Sequence, residues 1–375
     1  MKLALIRQRY NPYGGAERFI ERAITALRAQ NEDVEVTVFA REWQAAPGVQ
    51  CVPINTAARG NAKARDVAFG DAVERALAAR RGQFDIIQSH ERIPGMPVYR
   101  AGDGVHAQWL RLRAQHGGAR ARMATLLNPY HRYMVARERA MFTHPALRLV
   151  ICNSQMVRGD IERAFGVADE KLCVIYNGVD IDYFQPPTND ERRVARAQFA
   201  LPSDAPTFVY VGSGFERKGV ATLLDAFAQL PKEAHLLIVG EDKARVKFAA
   251  LAVRLRIDHR VQFLGGLRDV LPVYHAAHAL VLPTLYDPMP NVVPEALACG
   301  LPVITTTTCG GAELLNAQTG SVIAAGDVTA LAKALRGWCA PSALQCRAAR
   351  EAAELLAAPR QATVLLTLYQ RLMAA

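Results

Sequence analysis

Short apolar runs alternate along this chain with longer stretches in which apolar residues recur every three or four positions. In the first half the runs Lys2–Ile6, Asp33–Phe39, Asp85–Ser89 and Leu147–Asn153 predict strands, with a further short one at Met96–Tyr99. In the second half Thr207–Val211, His235–Val239, Val261–Leu264, Ala279–Leu282 and Val303–Thr305 do the same. Between them Glu17–Gln30, Val220–Leu230 and Lys243–Leu255 carry helical spacing. Strands joined by helices of this length imply parallel sheets. The near-continuous apolar character of the strands agrees, because a parallel strand is buried on both faces.

The pattern occurs twice, with a polar, proline-rich break running from Gln185–Asp190 to Leu201–Pro206. The expected fold is therefore α/β, with two Rossmann-like parallel-sheet domains facing each other across a cleft. The first domain would span residues 1–175 and the second residues 176–358. Residues 359–375, where Val364, Leu365, Leu368 and Leu372 share a helical spacing, would pack back on the N-terminal domain.

Composition narrows the class. The chain has 375 residues, half of them apolar, which suits two ordinary domains and excludes disordered and fibrous proteins. No apolar run approaches the roughly 18 residues of a membrane span. The apolar start is short and is followed at once by Arg7 and Arg9, so it reads as a first strand rather than a leader. Seven scattered Cys without a CxxC point to reduced thiols and a cytoplasmic protein. A net charge of +10 favours anionic partners. Nucleic acid is not expected among them, because no basic motif is interleaved with aromatics.

Chemistry concentrates in a few connections. Between Asp287 and Thr305 two acids, Asp287 and Glu295, stand eight residues apart, with Pro288, Pro290 and Asn291 between them. Glu295 is expected to open a short helix that stops at Gly300. A carboxylate there suits a vicinal diol, and backbone amides just before it, at Asn291 and Val292, suit a phosphate. After the strand ending at Val211 comes Gly212-Ser213-Gly214-Phe215-Glu216-Arg217-Lys218-Gly219. Arg217 and Lys218 at this helix start could neutralise a departing diphosphate. After the first strand, Gly14 and Gly15 let the backbone approach a diphosphate at a helix N-terminus. Asp103, in Gly102-Asp103-Gly104, is placed to orient or deprotonate an acceptor hydroxyl. His90 and His106 are weaker candidates. Asp180-Ile181-Asp182 has the form of a metal motif but reads as a turn leaving a strand, and no His, Cys and acid cluster has metal-ligand spacing. No metal or cofactor is expected.

The stretch His106–Ala140 holds seven Arg against one acid, Glu138, a local charge of +6. Met123, Leu126, Leu127, Tyr130, Tyr133, Met134 and Met141 share one helical face there, Arg137 could snorkel from it, and Pro129 should split the stretch into two helices. Two readings stand: an interfacial element for an anionic membrane, using Arg111, Arg113, Arg120, Arg122 and Arg132, or an ordinary amphipathic helix packed on its own domain.

Gly14-Gly15, Asn177-Gly178-Val179-Asp180, Arg217-Lys218-Gly219, the acid pair and Glu295-Ala296-Leu297-Ala298-Cys299-Gly300-Leu301-Pro302-Val303 together resemble the retaining GT-B glycosyltransferases of family 4, over essentially the whole chain. The opening, the Gly-Asp-Gly loop and the basic stretch look most like the branch that adds glucose to the lipopolysaccharide inner core at the cytoplasmic membrane face. The resemblance implies a UDP-sugar as co-substrate and a phosphorylated inner-core saccharide, or a lipid-linked acceptor, as its partner. It gives the first domain an acceptor-binding role and the second a nucleotide-sugar-binding role. It implies that Gly14 and Gly15 face donor phosphate and acceptor, Lys218 and Arg217 bind diphosphate, Asp287 touches the hexose hydroxyls, Glu295 holds the ribose, and Asp103 acts on the acceptor. The chain departs from the family pattern at Asp287, usually Glu, at Pro288 and Pro290, usually Gly, and at Ser213, usually Arg. Alternatives are another nucleotide-hexose used on a different glycan or lipid acceptor, a different α/β nucleotide enzyme, and a non-catalytic nucleotide-sugar-binding protein. The absence of GxGxxG weighs against an oxidoreductase.

Overall fold

The structure, a computed structural model, describes residues 1–8, 24–30, 33–43, 48–56, 61–118, 123 and 127–374. The chain divides into two compact units, Met1–Tyr176 with Ala358–Ala375, and Asn177–Ala357.

The first unit is built on a seven-stranded sheet of β1 (Lys2–Ile6), β2 (Glu35–Ala40), β3 (Val49–Pro53), β4 (Ile86–Ser89), β5 (Val98–Ala101), β6 (Leu149–Cys152) and β7 (Leu172–Val174). The order is β3-β2-β1-β4-β5-β6-β7, and every pairing is parallel. Strand β1 shows why it is central. Leu3 and Leu5 point into one apolar cluster and Ala4 and Ile6 into another, so both faces are covered. The terminal helix Ala358–Ala374 covers the first face with Ala362, Leu365 and Tyr369. Helix Ala62–Ala78 covers the second with Phe69 and Val73. The Tyr369 hydroxyl donates to Gln88 Oε1 at 2.8 Å, which ties the last helix to β4.

The second unit has a six-stranded parallel sheet of β8 (Thr207–Val211), β9 (His235–Val239), β10 (Val261–Gly265), β11 (Ala279–Leu282), β12 (Val303–Thr306) and β13 (Gly320–Ile323), in the order β10-β9-β8-β11-β12-β13. One large core fills it.

Each sheet reverses its winding once, between β1 and β4 in the first unit and between β8 and β11 in the second. In open α/β sheets a crevice forms outside the C-terminal ends of the strands at such a point, and ligands bind there.

The basic stretch resolves into helix His106–His116 and helix Pro129–Phe142. Pro129 opens the second helix, where its missing N–H costs nothing, and Asn128 caps it. Met134 and Met141 are buried on their own unit. Arg137 does not snorkel: its Nε donates to the Arg92 carbonyl at 2.6 Å, which turns the guanidinium inward. Arg111 and Arg132 are exposed, and Arg113 lies over the Trp109 ring at 5.2 Å. Arg120 and Arg122 lie outside the described residues, as do Gly14 and Gly15. Among the described residues no helix is long and apolar enough to cross a membrane.

Candidate active site

The connection after β8 is shaped by two glycines. Gly212 has φ +149°, and a Cβ there would lie 2.8 Å from Lys218 Nζ. Any side chain at Gly212 would therefore displace the ammonium itself. Gly219 has φ +76°, and a Cβ there would lie 2.0 Å from the Pro283 carbonyl oxygen at the end of β11. Only glycine lets the two connections approach this closely. Asp242, beyond β9, fixes the middle of the loop: its Oδ2 accepts from Phe215 N at 2.7 Å. Phe215 is fully buried, edge-on to Tyr210 and Phe248.

The loop so fixed presents Lys218 to the connection after β11. Lys218 Nζ lies 3.1 Å from Asp287 Oδ2, and Arg217 Nη1 lies 3.8 Å from the same oxygen. Arg217 also donates to the Tyr286 carbonyl at 2.6 Å. Asp287 is itself held by backbone, its N–H donating to Thr308 O at 3.1 Å and its carbonyl accepting from Gly310 N at 2.8 Å. Among the described residues Asp287 Oδ2 makes no directed hydrogen bond, although it is buried. The contact with Lys218 is Coulombic, so the oxygen keeps its capacity to accept from a ligand hydroxyl.

The sequence places Glu295 at the opening of its helix. The helix is Val292–Ala298, and Glu295 lies in its first turn. Pro294 is tolerated beside it, because the helix does not use the N–H groups of that turn. Gly300, at φ +72°, ends the segment. Glu295 is almost fully buried and accepts from the Tyr274 hydroxyl at 3.2 Å. Asn291 precedes the helix, and its Oδ1 accepts from Asn177 Nδ2 at 2.7 Å. The same Nδ2 donates to the Met289 carbonyl at 3.1 Å, so one amide steadies the whole segment between the acids. Val292, the first helical residue, is buried.

The first unit gathers a different set. Asp103 lies just beyond β5, with its side chain 45% exposed. Its Oδ2 is 3.5 Å from Arg7 Nη1, beyond β1, and 4.0 Å from Arg92 Nη1, beyond β4. Arg7 also faces Glu91 at 3.5 Å. Burial raises the Glu91 carboxyl pKa against the pull of Arg7. Glu138 is fully buried; it accepts from Arg92 Nε at 2.8 Å and from His106 N at 2.7 Å. It thereby caps helix His106–His116, which has no side-chain cap of its own. His106 Nε2 lies 3.1 Å from His131 Nδ1. Desolvation, then Arg92 and His131, lowers the His106 pKa to about 4. His90 is buried against Gln88 and is kept neutral by desolvation, Arg100 and Arg7.

Asp180 Oδ1 accepts from the backbone N–H of Asp182 and Tyr183, so the Asp-Ile-Asp segment is a side-chain-stabilised turn. Arg7, Glu91, Arg92, Glu138 and Tyr274 belong to these two clusters but were not singled out as site residues from sequence, and Asn177 stood only within a linker motif. For Arg7, Glu91 and Arg92 a signal existed, since they follow the predicted strands Lys2–Ile6 and Asp85–Ser89, at the strand ends where ligands bind. For Tyr274 and Glu138 there was none, because each matters only through a distant partner.

Two Rossmann-like parallel sheets, with a cation–carboxylate cluster at the winding reversal of the second, define the GT-B class of glycosyltransferases. Within it, the chain belongs to glycosyltransferase family 4: the family's model matches residues 13–183, and the model for glycosyl transferases group 1 matches residues 205–340. The chain is similar to the lipopolysaccharide glucosyltransferase WaaG of Escherichia coli (strain K12), with 28% identity over 332 residues, 86% of this chain and 85% of that one. It is 32% identical over 164 residues to the lipopolysaccharide core biosynthesis glycosyltransferase LpsE of Rhizobium meliloti (strain 1021), covering 44% and 48% of the two chains. The crystal structure of WaaG superposes with a TM-score of 0.82 at 26% identity, covering 97% of this chain and 99% of that one.

Proposed function

We propose that this glycosyltransferase moves glucose from UDP-glucose to a heptose of the lipopolysaccharide inner core, with retention of anomeric configuration and without a metal ion. The observation that carries the reading is the Lys218–Asp287 contact of 3.1 Å at the β8/β11 reversal, with the buried Glu295 eight residues further along. The likeness to WaaG over nearly the whole chain supports glucose as the donor sugar and the lipopolysaccharide core as the acceptor.

In this mechanism Glu295 accepts hydrogen bonds from the ribose hydroxyls, and Asn291 and Val292 bring backbone to the phosphates. Asp287 orients the hexose by accepting from its hydroxyls. As the bond between the anomeric carbon and the diphosphate oxygen breaks, negative charge grows on UDP, and Lys218, helped by Arg217, stabilises it. The acceptor hydroxyl forms the new bond from the face that UDP leaves, and its proton passes to a UDP phosphate oxygen. Asp103 orients that hydroxyl. Gly14 and Gly15 are assigned to the donor phosphate and acceptor by family resemblance.

The acceptor is membrane-borne in this reading, so the protein works on the inner face of the cytoplasmic membrane. Arg111, Arg113, Arg120, Arg122 and Arg132 would meet anionic headgroups, and the strongly exposed Met123 and Leu127 support the assignment. Replacing Arg120, Arg122 and Arg132 by Gln should weaken binding to anionic vesicles, most at low salt.

The deciding experiment is a nucleotide-sugar screen on purified protein, reading released nucleotide with and without heptose-containing core oligosaccharide. UDP-glucose together with the oligosaccharide should give the fastest release. Faster turnover of another nucleotide-hexose would replace the donor assignment. Turnover that ignores the oligosaccharide would replace the acceptor.

A further inference from the structure

Asp103 sits at the crest of Gly102-Asp103-Gly104, and the glycine carbonyl on each side of it is held by a side chain from another strand end. Asn153, just past β6 and 1% exposed, donates from Nδ2 to the Gly102 carbonyl at 3.1 Å. Arg92, just past β4, donates from Nη2 to the Gly104 carbonyl at 2.9 Å. Gly104 has φ +65°, a left-handed conformation that glycine adopts without strain and that gives the loop its turn. Those two outside donors hold the loop on either side of Asp103. Arg92 is fixed in turn. Its Nε is bound by the fully buried Glu138, whose carboxylate also accepts from the first two amides of helix His106–His116. One guanidinium thus joins the loop before that helix to the helix itself, and its third nitrogen, Nη1, lies 4.0 Å from Asp103.

We infer that Arg92 and Asn153 are positioning residues for the acceptor step: they clamp the backbone on either side of Asp103 and set where its carboxylate stands. The inference rests on the reading in which Asp103 orients the acceptor hydroxyl. Neither residue need touch substrate. Geometry of this kind matters because a displacement of about 1 Å at a reacting group can cost on the order of a hundredfold in rate. Arg92→Lys keeps the charge but loses the planar fork that binds Glu138 and Gly104 together. Asn153→Ala removes the other clamp without touching any charge.

The test is a double-mutant cycle in which UDP release from UDP-glucose is measured with core oligosaccharide. Arg92→Lys and Asn153→Ala should each lower kcat by about tenfold or more. KM for UDP-glucose should not change, since Lys218, Asp287 and Glu295 lie in the other unit and neither substitution touches them. In an Asp103→Asn background the same substitutions should lower kcat by less than about twofold, because the group they position is already lost. Losses that add fully to that of Asp103→Asn overturn the inference and leave the role of Asp103 standing. Near-normal turnover of Asp103→Asn alone removes that role, and the inference with it. Thermal melting of each variant checks that the fold is kept, and Asn153→Ala serves alone if Arg92→Lys does not fold.

Discussion

The two winding reversals of this chain carry charge in opposite ways. In the second unit Lys218, Asp287 and Glu295 come from two strand-to-helix segments, and glycines shape their close approach. Two cations converge on one buried carboxylate oxygen that makes no directed hydrogen bond among the described residues. In the first unit Arg7, Glu91, Arg92, Asp103 and Glu138 come from four separate parts of the chain and bind one another. Their pairing leaves one carboxylate, Asp103, about half exposed. On the proposed function, a cluster of the first kind would meet a large fixed charge such as a diphosphate. One of the second kind is a scaffold that spends several charges on placing a single group. The difference predicts that substitutions in the second unit will act on donor affinity and leaving-group departure. Those in the Asp103 cluster of the first will act on the acceptor step alone.

The largest effect should come from Lys218→Ala. Removing a preorganised electrostatic stabiliser costs about 3 kcal/mol or more, on the order of a hundredfold or more in turnover. Nucleotide release should fall both with and without acceptor, which separates this variant from Asp103→Asn. Near-normal turnover of Lys218→Ala with UDP-glucose would break the comparison at its root. Glu295→Gln should come next. A hydrogen bond to a charged group contributes about 1.5–3 kcal/mol, so UDP affinity by calorimetry should drop by about tenfold or more. Unchanged affinity would move the ribose away from Glu295.

The same contrast explains what could be read from the sequence. The central strands announce themselves. Thr207–Val211, His235–Val239 and Ala279–Leu282 were predicted to the residue, because burial on both faces leaves continuous apolar runs. The strands β3 and β13 went unseen, and each lies at a sheet edge, whereas the edge strand β7 showed only as the strand that the turn before Asp180 leaves. Val49–Pro53 has no fully buried residue and Gly320–Ile323 has one, so no continuous buried run marks them. The candidate site divides likewise. Lys218, Asp287 and Glu295 stand in compact strings whose spacing carries their chemistry. Asn153, Glu138 and Tyr274 are single polar letters, and their roles come from partners 51, 46 and 21 residues away. Arg137 shows the converse hazard. Its place on an apolar helical face suggested snorkelling, but a backbone carbonyl from another connection claims it.

Tyr274→Phe sharpens the donor half with a smaller perturbation. It removes one buried hydroxyl from Glu295 and leaves the ring packed between the same neighbours. A single hydrogen bond of this kind contributes about 1 kcal/mol, so UDP affinity should fall about fivefold, with kcat little changed. A loss as large as that of Glu295→Gln would mean that the tyrosine itself contacts the nucleotide.

The smallest effect tests the scaffold of the first unit through pH. His106 follows the Asp103 loop, its backbone N–H is bound by Glu138, and its ring faces His131 and Trp109. Desolvation, with Arg92 and His131 adding to it, lowers its pKa from 6.5 to about 4. His131 is shifted in the same direction by desolvation and Arg113. The unfolded chain, with His106 near its ordinary value, therefore binds a proton between these limits that the folded chain does not. Stability from this residue is complete above about pH 6.5 and is lost as pH falls toward about 4. Denaturant unfolding measured across that window should show a shallower pH slope for His106→Gln than for the parent, while the two slopes agree above neutrality. Equal slopes throughout would show that the ring is as solvated in the folded state as in the unfolded one. The helix that follows Asp103 would then be anchored by the Glu138 cap without help from its aromatic neighbours.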